Sequence, residues 1–528
     1  MSFFSRYRLS AAVIAALSLT LSAHAGDQLR VKTATGKLEG KLSSDGQVRD
    51  FLGVPFAAPP VGPLRWKPPQ PAAKWHGVRQ ATSFGSHCMQ PQVFPDMIFH
   101  DPGPSEDCLT LNVWTPAKDK KAKLPVMVWI YGGGFAGGGT SEARQDGEHL
   151  AHKGVIVVSM NYRLGIFGFF ALPELASESS HHAAGNYGLM DQVAALQWVK
   201  KNIAAFGGDP SKVTIFGESA GSISVSAQMA SPMAQGLFAR AMGESGGALG
   251  NIGASFSSLD VSEQQDENFA RKEIGKASLA DLRAIPAEEL MKMAGRGRAD
   301  GFRLFWPNID GQFLPQSPEE IYAAGKQAHV PLLAGWNMDE QKASVSMAKV
   351  KPTSDSMREQ AEKDFGPRSV DFLHAYAVNQ QEDLMRVEED FAGDRFIAFS
   401  TWAWLEAQVN NGASPVYRYR FDLPSPGDFF HSPEMGAFHS DDIEYVFGTL
   451  DSRKDAKWRP EDYKLSDLMQ TYWTNFAKTG NPNGAGAPDW PQYNSQGDWQ
   501  VMHLSPEPGA RPDRHRDRYL FLQQAWKK

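Results

Sequence analysis

Cysteine is scarce. The 528-residue chain holds two, Cys88 and Cys108. Two cysteines without a cluster of histidines nearby make poor zinc geometry, which argues against a metal site. Basic charge is in deficit, with 53 Lys and Arg against 60 Asp and Glu. That balance disfavours nucleic acid and anionic membrane surfaces as partners. Beyond the N-terminus no apolar run reaches the length of a membrane span. No internal repeat or low-complexity block interrupts the chain.

What is present points to a large folded protein. Apolar residues make up 42% of the chain, with 31 Phe and 14 Trp, enough to build a sizeable core and to exclude overall disorder. Length alone suggests about two to four domains. The spacing of the motifs below favours one large α/β domain over residues 26–528, with helical insertions near 257–301 and 354–408. The first 25 residues read as a signal peptide. Arg6 and Arg8 form the positive start, residues 9–21 a short apolar run, and Ala23-His24-Ala25 a small-x-small cleavage site. The protein is therefore expected to be exported, to the periplasm or beyond the cell. Cleavage after Ala25 removes two Arg and no acid and moves the net charge from −7 to −9. An exported chain meets an oxidising compartment, where a bridge between Cys88 and Cys108 is the natural reading. It closes a loop of about 20 residues and contributes about 3 kcal/mol in the chain-entropy model. Two free thiols are the alternative.

Short apolar runs at 125–131, 155–160, 213–216 and 330–334, bounded by Gly or Pro, suit strands buried on both faces. Between the second and third, Leu189, Val193, Leu196, Val199 and Ile203 share one helical face, and Gly207-Gly208 ends the pattern. Strand, helix, strand in this order predicts a mostly parallel sheet with crossovers.

Gly217-Glu218-Ser219-Ala220-Gly221 fits G-x-S-x-G between a strand pattern and a helix pattern. This is the setting a nucleophile elbow needs, and it makes Ser219 the candidate nucleophile. Gly243-Glu244-Ser245-Gly246-Gly247 fits the same pattern. It follows a helix-like stretch at 238–242 and leads into a poor helix start, so Ser245 reads as a decoy. Gly132-Gly133-Gly134-Phe135 follows the first strand and has the form of a glycine-rich esterase loop, with Tyr131 where such loops carry His. The N–H groups of Gly133, Gly134 and Ala220 are candidates for an oxyanion hole. A flexible glycine turn is the plainer alternative for that loop.

Together these segments resemble the type-B carboxylesterases, the family of para-nitrobenzyl esterases and cholinesterases. The resemblance runs from about Val31 to the C-terminus. It is carried by residues 51–57, 59–62, 106–113, 185–192 and 206–210, besides the serine motif. It implies the α/β-hydrolase fold, a large mostly parallel sheet flanked by helices. It also implies the Cys88–Cys108 bridge. It assigns the catalytic acid to Glu340, within 335–340, and the catalytic histidine to His439, within 436–443. Asp339 is the nearest rival to Glu340. The order Ser219, Glu340, His439 is that of α/β-hydrolases, and Glu340 follows a strand pattern, at the edge where open-sheet sites form.

The implied activity is ester hydrolysis through a Ser-His-Glu triad and an acyl-enzyme, on a small-molecule ester, without metal or organic cofactor. Two departures stand out. Gln341 replaces the family's frequent Gly after the acid. The 88–108 loop lacks the Trp with which cholinesterases hold a quaternary ammonium, which argues against choline esters. The same loop holds Val93, Phe94, Met97, Ile98 and Phe99, without showing which of them face the site, and Phe302, Phe305 and Trp306 are candidates for an acyl pocket or for the core. A hydrolase of amides or carbamates would share every motif. A non-catalytic binding protein of this fold would be expected to lose the nucleophile or the histidine, and both are present. A lipase is disfavoured because no amphipathic lid stands out. Oligomeric state is not legible.

Overall fold

The computed structural model describes residues 29–250, 255–275, 278–296, 304–346, 352–376, 378, 384–412 and 414–526. The expected signal peptide lies outside these, as does Phe302. An eleven-stranded sheet forms the centre. Its strands, in chain order, are β1 (Lys41–Leu42), β2 (Arg49–Pro55), β3 (Thr110–Thr115), β4 (Leu124–Ile130), β5 (Ile156–Met160), β6 (Gly208–Glu218), β7 (Arg240–Glu244), β8 (Leu332–Asn337), β9 (Val416–Phe421), β10 (Gln500–Leu504) and β11 (Gly509–Pro512). Their spatial order is β11-β10-β9-β8-β7-β6-β4-β5-β3-β2-β1. From β5 across to β10 every pairing is parallel, and the two margins are antiparallel. This is the mostly parallel sheet that the sequence predicts.

The central strands are largely apolar because both faces are covered. All five residues of β5 and all six of β8 are buried. Helices supply the cover: α1 (Tyr187–Asn202), α2 (Ala220–Ala230), α3 (Leu259–Phe269), α4 (Ala287–Arg296), α5 (Leu384–Gly393), α6 (Phe399–Asn410), α7 (Pro460–Thr479) and α8 (Arg516–Ala525). The predicted helix at 189–203 is α1 with a 3-10 turn after it. Gly207, at φ +91°, closes that turn in the left-handed region. The described parts of 257–301 and 354–408 are largely helical, as expected, with α3 and α4 in one and α5 and α6 in the other.

One local expectation fails. Residues 238–242 read as helix, yet β7 begins at Arg240 and pairs with both β6 and β8. Ala, Arg and Met favour helix intrinsically. A central slot between two parallel strands, where Ala241 and Met242 are fully buried, overrides that preference. Among the described residues no helix is long and apolar enough to cross a membrane.

Candidate active site

Three neighbouring strands deliver the chemistry. β6, β7 and β8 run parallel in register, with Gly217 beside Gly243 and Gly243 beside Ala334. Ser219 follows β6 and opens α2, Ser245 follows β7, and Glu340 lies three residues past β8. Ser219 has φ 54°, ψ −121°, a conformation that L residues rarely adopt. The turn is enforced by close packing. A Cβ on Gly221 would stand 2.0 Å from the Ile130 carbonyl oxygen, so only glycine lets β4 pass this near.

Ser219 and His439 face each other, with Oγ 2.9 Å from Nε2. On the other side of the ring, Nδ1 lies 2.6 Å from Glu340 Oε2. The second carboxylate oxygen of Glu340 accepts from the Asn337 N–H at 2.9 Å and from the Ser245 hydroxyl at 2.6 Å. The histidine loop is tied to the acid turn. Asn337 Nδ2 donates to the Phe438 carbonyl at 2.7 Å, and the Ala437 N–H donates to Asp339 Oδ2 at 3.0 Å. Asp339 is thus engaged by the backbone of the histidine loop and by Arg386, at 2.9 Å, while Glu340 meets the imidazole.

Glu218, beside Ser219, is buried under the same ring, with Oε1 3.3 Å from His439 Nε2. Burial pushes its carboxyl up to about 8, against the pull of His439 and Arg144. Burial alone would lower His439, but the carboxylates of Glu218 and Glu340 raise it, to about 9. A general base works when neutral, so with His439 in that role the raised value is expected to place the acid limb of kcat/KM at high pH. Glu218→Gln removes one negative neighbour and destabilises the imidazolium. The acid limb should then move to lower pH, which a pH–rate profile on a neutral ester reads directly. A limb that stays in place would separate Glu218 from His439.

Gly133 and Gly134, at φ +96° and +61°, form the loop opposite Ser219, closed on itself by the Ala136 and Gly137 N–H groups bonding the Gly133 carbonyl. With Ala220 they line a pocket of 620 Å³ that contains Ser219 and His439. Phe94, Met97, Ile223, Trp306, Phe396 and Phe438 give it an apolar wall. Phe94 and Met97 arrive on the 88–108 loop, whose ends are joined by a Cys88–Cys108 disulfide. Other candidates from that part of the sequence lie elsewhere. Phe99 stacks on His87 at 4.3 Å, and Phe305 packs against Phe170 and Phe269. Gln341 lines the pocket. A group of possible metal ligands, Asp45, Glu148 and His152, is not part of it.

Sequence reasoning missed the part played by Ser245. The repeated Gly-Glu-Ser was the available signal. Two such triplets on adjacent parallel strands put both serines on one edge, and both have positive φ. Ser245→Ala should lower kcat by no more than about a hundredfold, the upper worth of one hydrogen bond to a charged group at about 1.5–3 kcal/mol. Fluorophosphonate labelling at Ser219 should persist. Loss of that labelling in a folded Ser245→Ala protein would make Ser245 indispensable.

A family profile described as "Carboxylesterase family" matches residues 27–521. Fumonisin B1 esterase of Sphingopyxis macrogoltabida is 35% identical over 524 residues, covering 94% of this chain and 90% of its own. Para-nitrobenzyl esterase of Bacillus subtilis (strain 168) is 37% identical over 487 residues, 88% of this chain and 93% of its own. A solved structure titled as a PNB esterase superposes with a TM-score of 0.80 at 33% identity, over 95% of this chain and all of that one. A carboxylesterase of Geobacillus stearothermophilus does so at 0.81 and 34%, over 94% of this chain and all of that one. With an α/β-hydrolase sheet and sequence similarity along nearly its whole length, the chain belongs to the carboxylesterase family and is a carboxylic ester hydrolase.

Proposed function

We propose that the protein hydrolyses esters by two-step acyl transfer, with Ser219 as nucleophile, His439 as general base and acid, and Glu340 as the group that orients the imidazole. The observation that carries this reading is the chain of contacts from Ser219 Oγ through His439 to Glu340, 2.9 Å and then 2.6 Å. His439 takes the Ser219 proton as Oγ attacks the ester carbonyl. The N–H groups of Gly133, Gly134 and Ala220 receive the oxyanion. His439 then protonates the leaving alcohol, and water repeats the sequence on the acyl-enzyme.

The pocket favours neutral esters with bulky apolar groups. Its wall is aromatic and aliphatic, and its cationic side chains are committed. Arg144 is paired with Glu142 at 2.9 Å and Asp96 at 3.7 Å, and His431 with Asp428 at 2.9 Å. The N-terminal targeting pattern and the disulfide support an exported enzyme, and the single large sheet supports one catalytic domain over 26–528. The test is fluorophosphonate labelling with peptide mapping, followed by p-nitrophenyl esters of increasing chain length. Labelling at Ser219 with turnover of the longer esters is expected. A folded protein that turns over esters but is labelled elsewhere would overturn the assignment.

A further inference from the structure

A second cavity, of 390 Å³, lies behind the triad acid. Its size is within the range of about 300–1,000 Å³ usual for small-molecule sites. Glu340 is the one residue that lines both this cavity and the Ser219 pocket. Six arginines border the cavity, and four are already paired. Arg386 meets Asp339 and Asp390, Arg418 meets Asp513, Arg420 meets Asp422, and Arg518 meets Asp390 and Asp394. Those pairs account for every carboxylate lining the cavity except Glu340 and Glu389. Glu340 is engaged by His439, and Glu389 is partly offset by Lys342 and Arg386.

Two cations remain. Arg511, on the edge strand β11, and Arg514, two residues before α8, are exposed and have no acidic partner among the described residues. Beside them His515 is the N-cap of the ten-residue α8, and its side chain makes no cap bond. The first turn of that helix carries Asp517, and the His515 N–H donates to Asp513 Oδ1 at 3.1 Å. The imidazole of His515 is affected by both its burial and its charged neighbours. It is pushed down to about 3, by burial first and then by Arg518 and Arg420, against the opposing effect of Asp390 and Asp513. Among the cavity's arginines the buried Nε–H of Arg418 makes no hydrogen bond to the described residues.

We propose that this cavity binds a small multiply charged anion, a polycarboxylate or a phosphate, held between Arg511 and Arg514. Guanidinium groups suit this role, because their planar forks match carboxylate and phosphate oxygens in pairs. The site is separate from the pocket where an ester is cleaved, so its test does not depend on catalysis.

The experiment is isothermal titration of the full chain with citrate and, separately, with inorganic phosphate, at constant ionic strength and with acetate as the monoanion control. Saturable one-to-one binding of at least one polyanion is expected, at least tenfold tighter than acetate. Binding of citrate alone would assign a polycarboxylate, and binding of phosphate alone a phosphorylated ligand. Arg511→Ala/Arg514→Ala should weaken the binding at least tenfold while p-nitrophenyl acetate is hydrolysed as before. Arg511→Gln/Arg514→Gln, which keeps much of the side-chain bulk, should give the same loss. No saturable binding of either polyanion, or an unchanged affinity in both double variants, would overturn the proposal.

Discussion

Ser219→Ala is expected to lower kcat for a p-nitrophenyl ester by about a millionfold, the size of loss found when a serine hydrolase of another fold loses its nucleophile. The oxyanion donors and the pocket stay in place, so activity above the uncatalysed rate should remain and KM should change little. The fold should tolerate the change. Ser219 is half-buried, its N–H bonds the Glu244 carbonyl at 2.8 Å, and Ala has the same Cβ. The comparison with Ser245→Ala gives the result its meaning, since both serines sit in G-x-S-x-G and differ in what they face. Ser219 meets the imidazole and Ser245 meets the carboxylate. If Ser219→Ala kept a tenth of the activity and Ser245→Ala lost it all, the nucleophile would have to be reassigned.

Glu340→Gln should cost nearly as much, about ten-thousandfold in kcat by comparison with the acid-to-amide change in a serine protease triad. The environment dictates how the new amide would lie. Oε1 of Glu340 accepts from the Asn337 N–H, which can only donate, and from the Ser245 hydroxyl. An NH₂ on that side would confront the Asn337 N–H, so the amide oxygen stays there. The NH₂ is thereby turned to His439 Nδ1. That nitrogen must then accept, the ring proton moves to Nε2, and no lone pair is left to take the Ser219 proton. Loss in kcat with KM nearly unchanged, in a protein that unfolds at about the wild-type denaturant concentration, is the expected signature. A fall of less than tenfold would show that the acid is not what sets the tautomer.

How much of this was legible beforehand depends on sequence distance. Ser219 declared itself because strand, turn and helix lie within one short stretch. Its glycines mark a crossing with β4 that any side chain would block. Glu340 and His439 are 99 residues apart and meet only after β9 has been laid beside β8, so the family register named them and local pattern did not. The 88–108 loop announced its apolar content, but which residues turned inward depended on the far wall. Phe94 and Met97 reach the pocket while Phe99 turns to His87. The misreading at 238–242 has the same origin. Ala241 and Met242 are strand residues because β6 and β8 leave no room for a helix between them. Once that stretch was taken as helix, Ser245 lost the context that would have shown its role.

The ladder between the central strands continues one step past their ends. The Ser219 N–H is bonded to the Glu244 carbonyl and the Ser245 N–H to the Gly335 carbonyl, each at 2.8 Å. Both strained serine amides are thus sealed into the middle of the sheet, where exchange with solvent requires the cooperative opening that unfolds the domain. In deuterium these two amides belong with the slowest in the molecule, although one of their side chains stands at the floor of an open pocket. The strain at Ser219 cannot relax through a local fluctuation. It persists for as long as the fold does, and the reactive geometry has the lifetime of the native state itself.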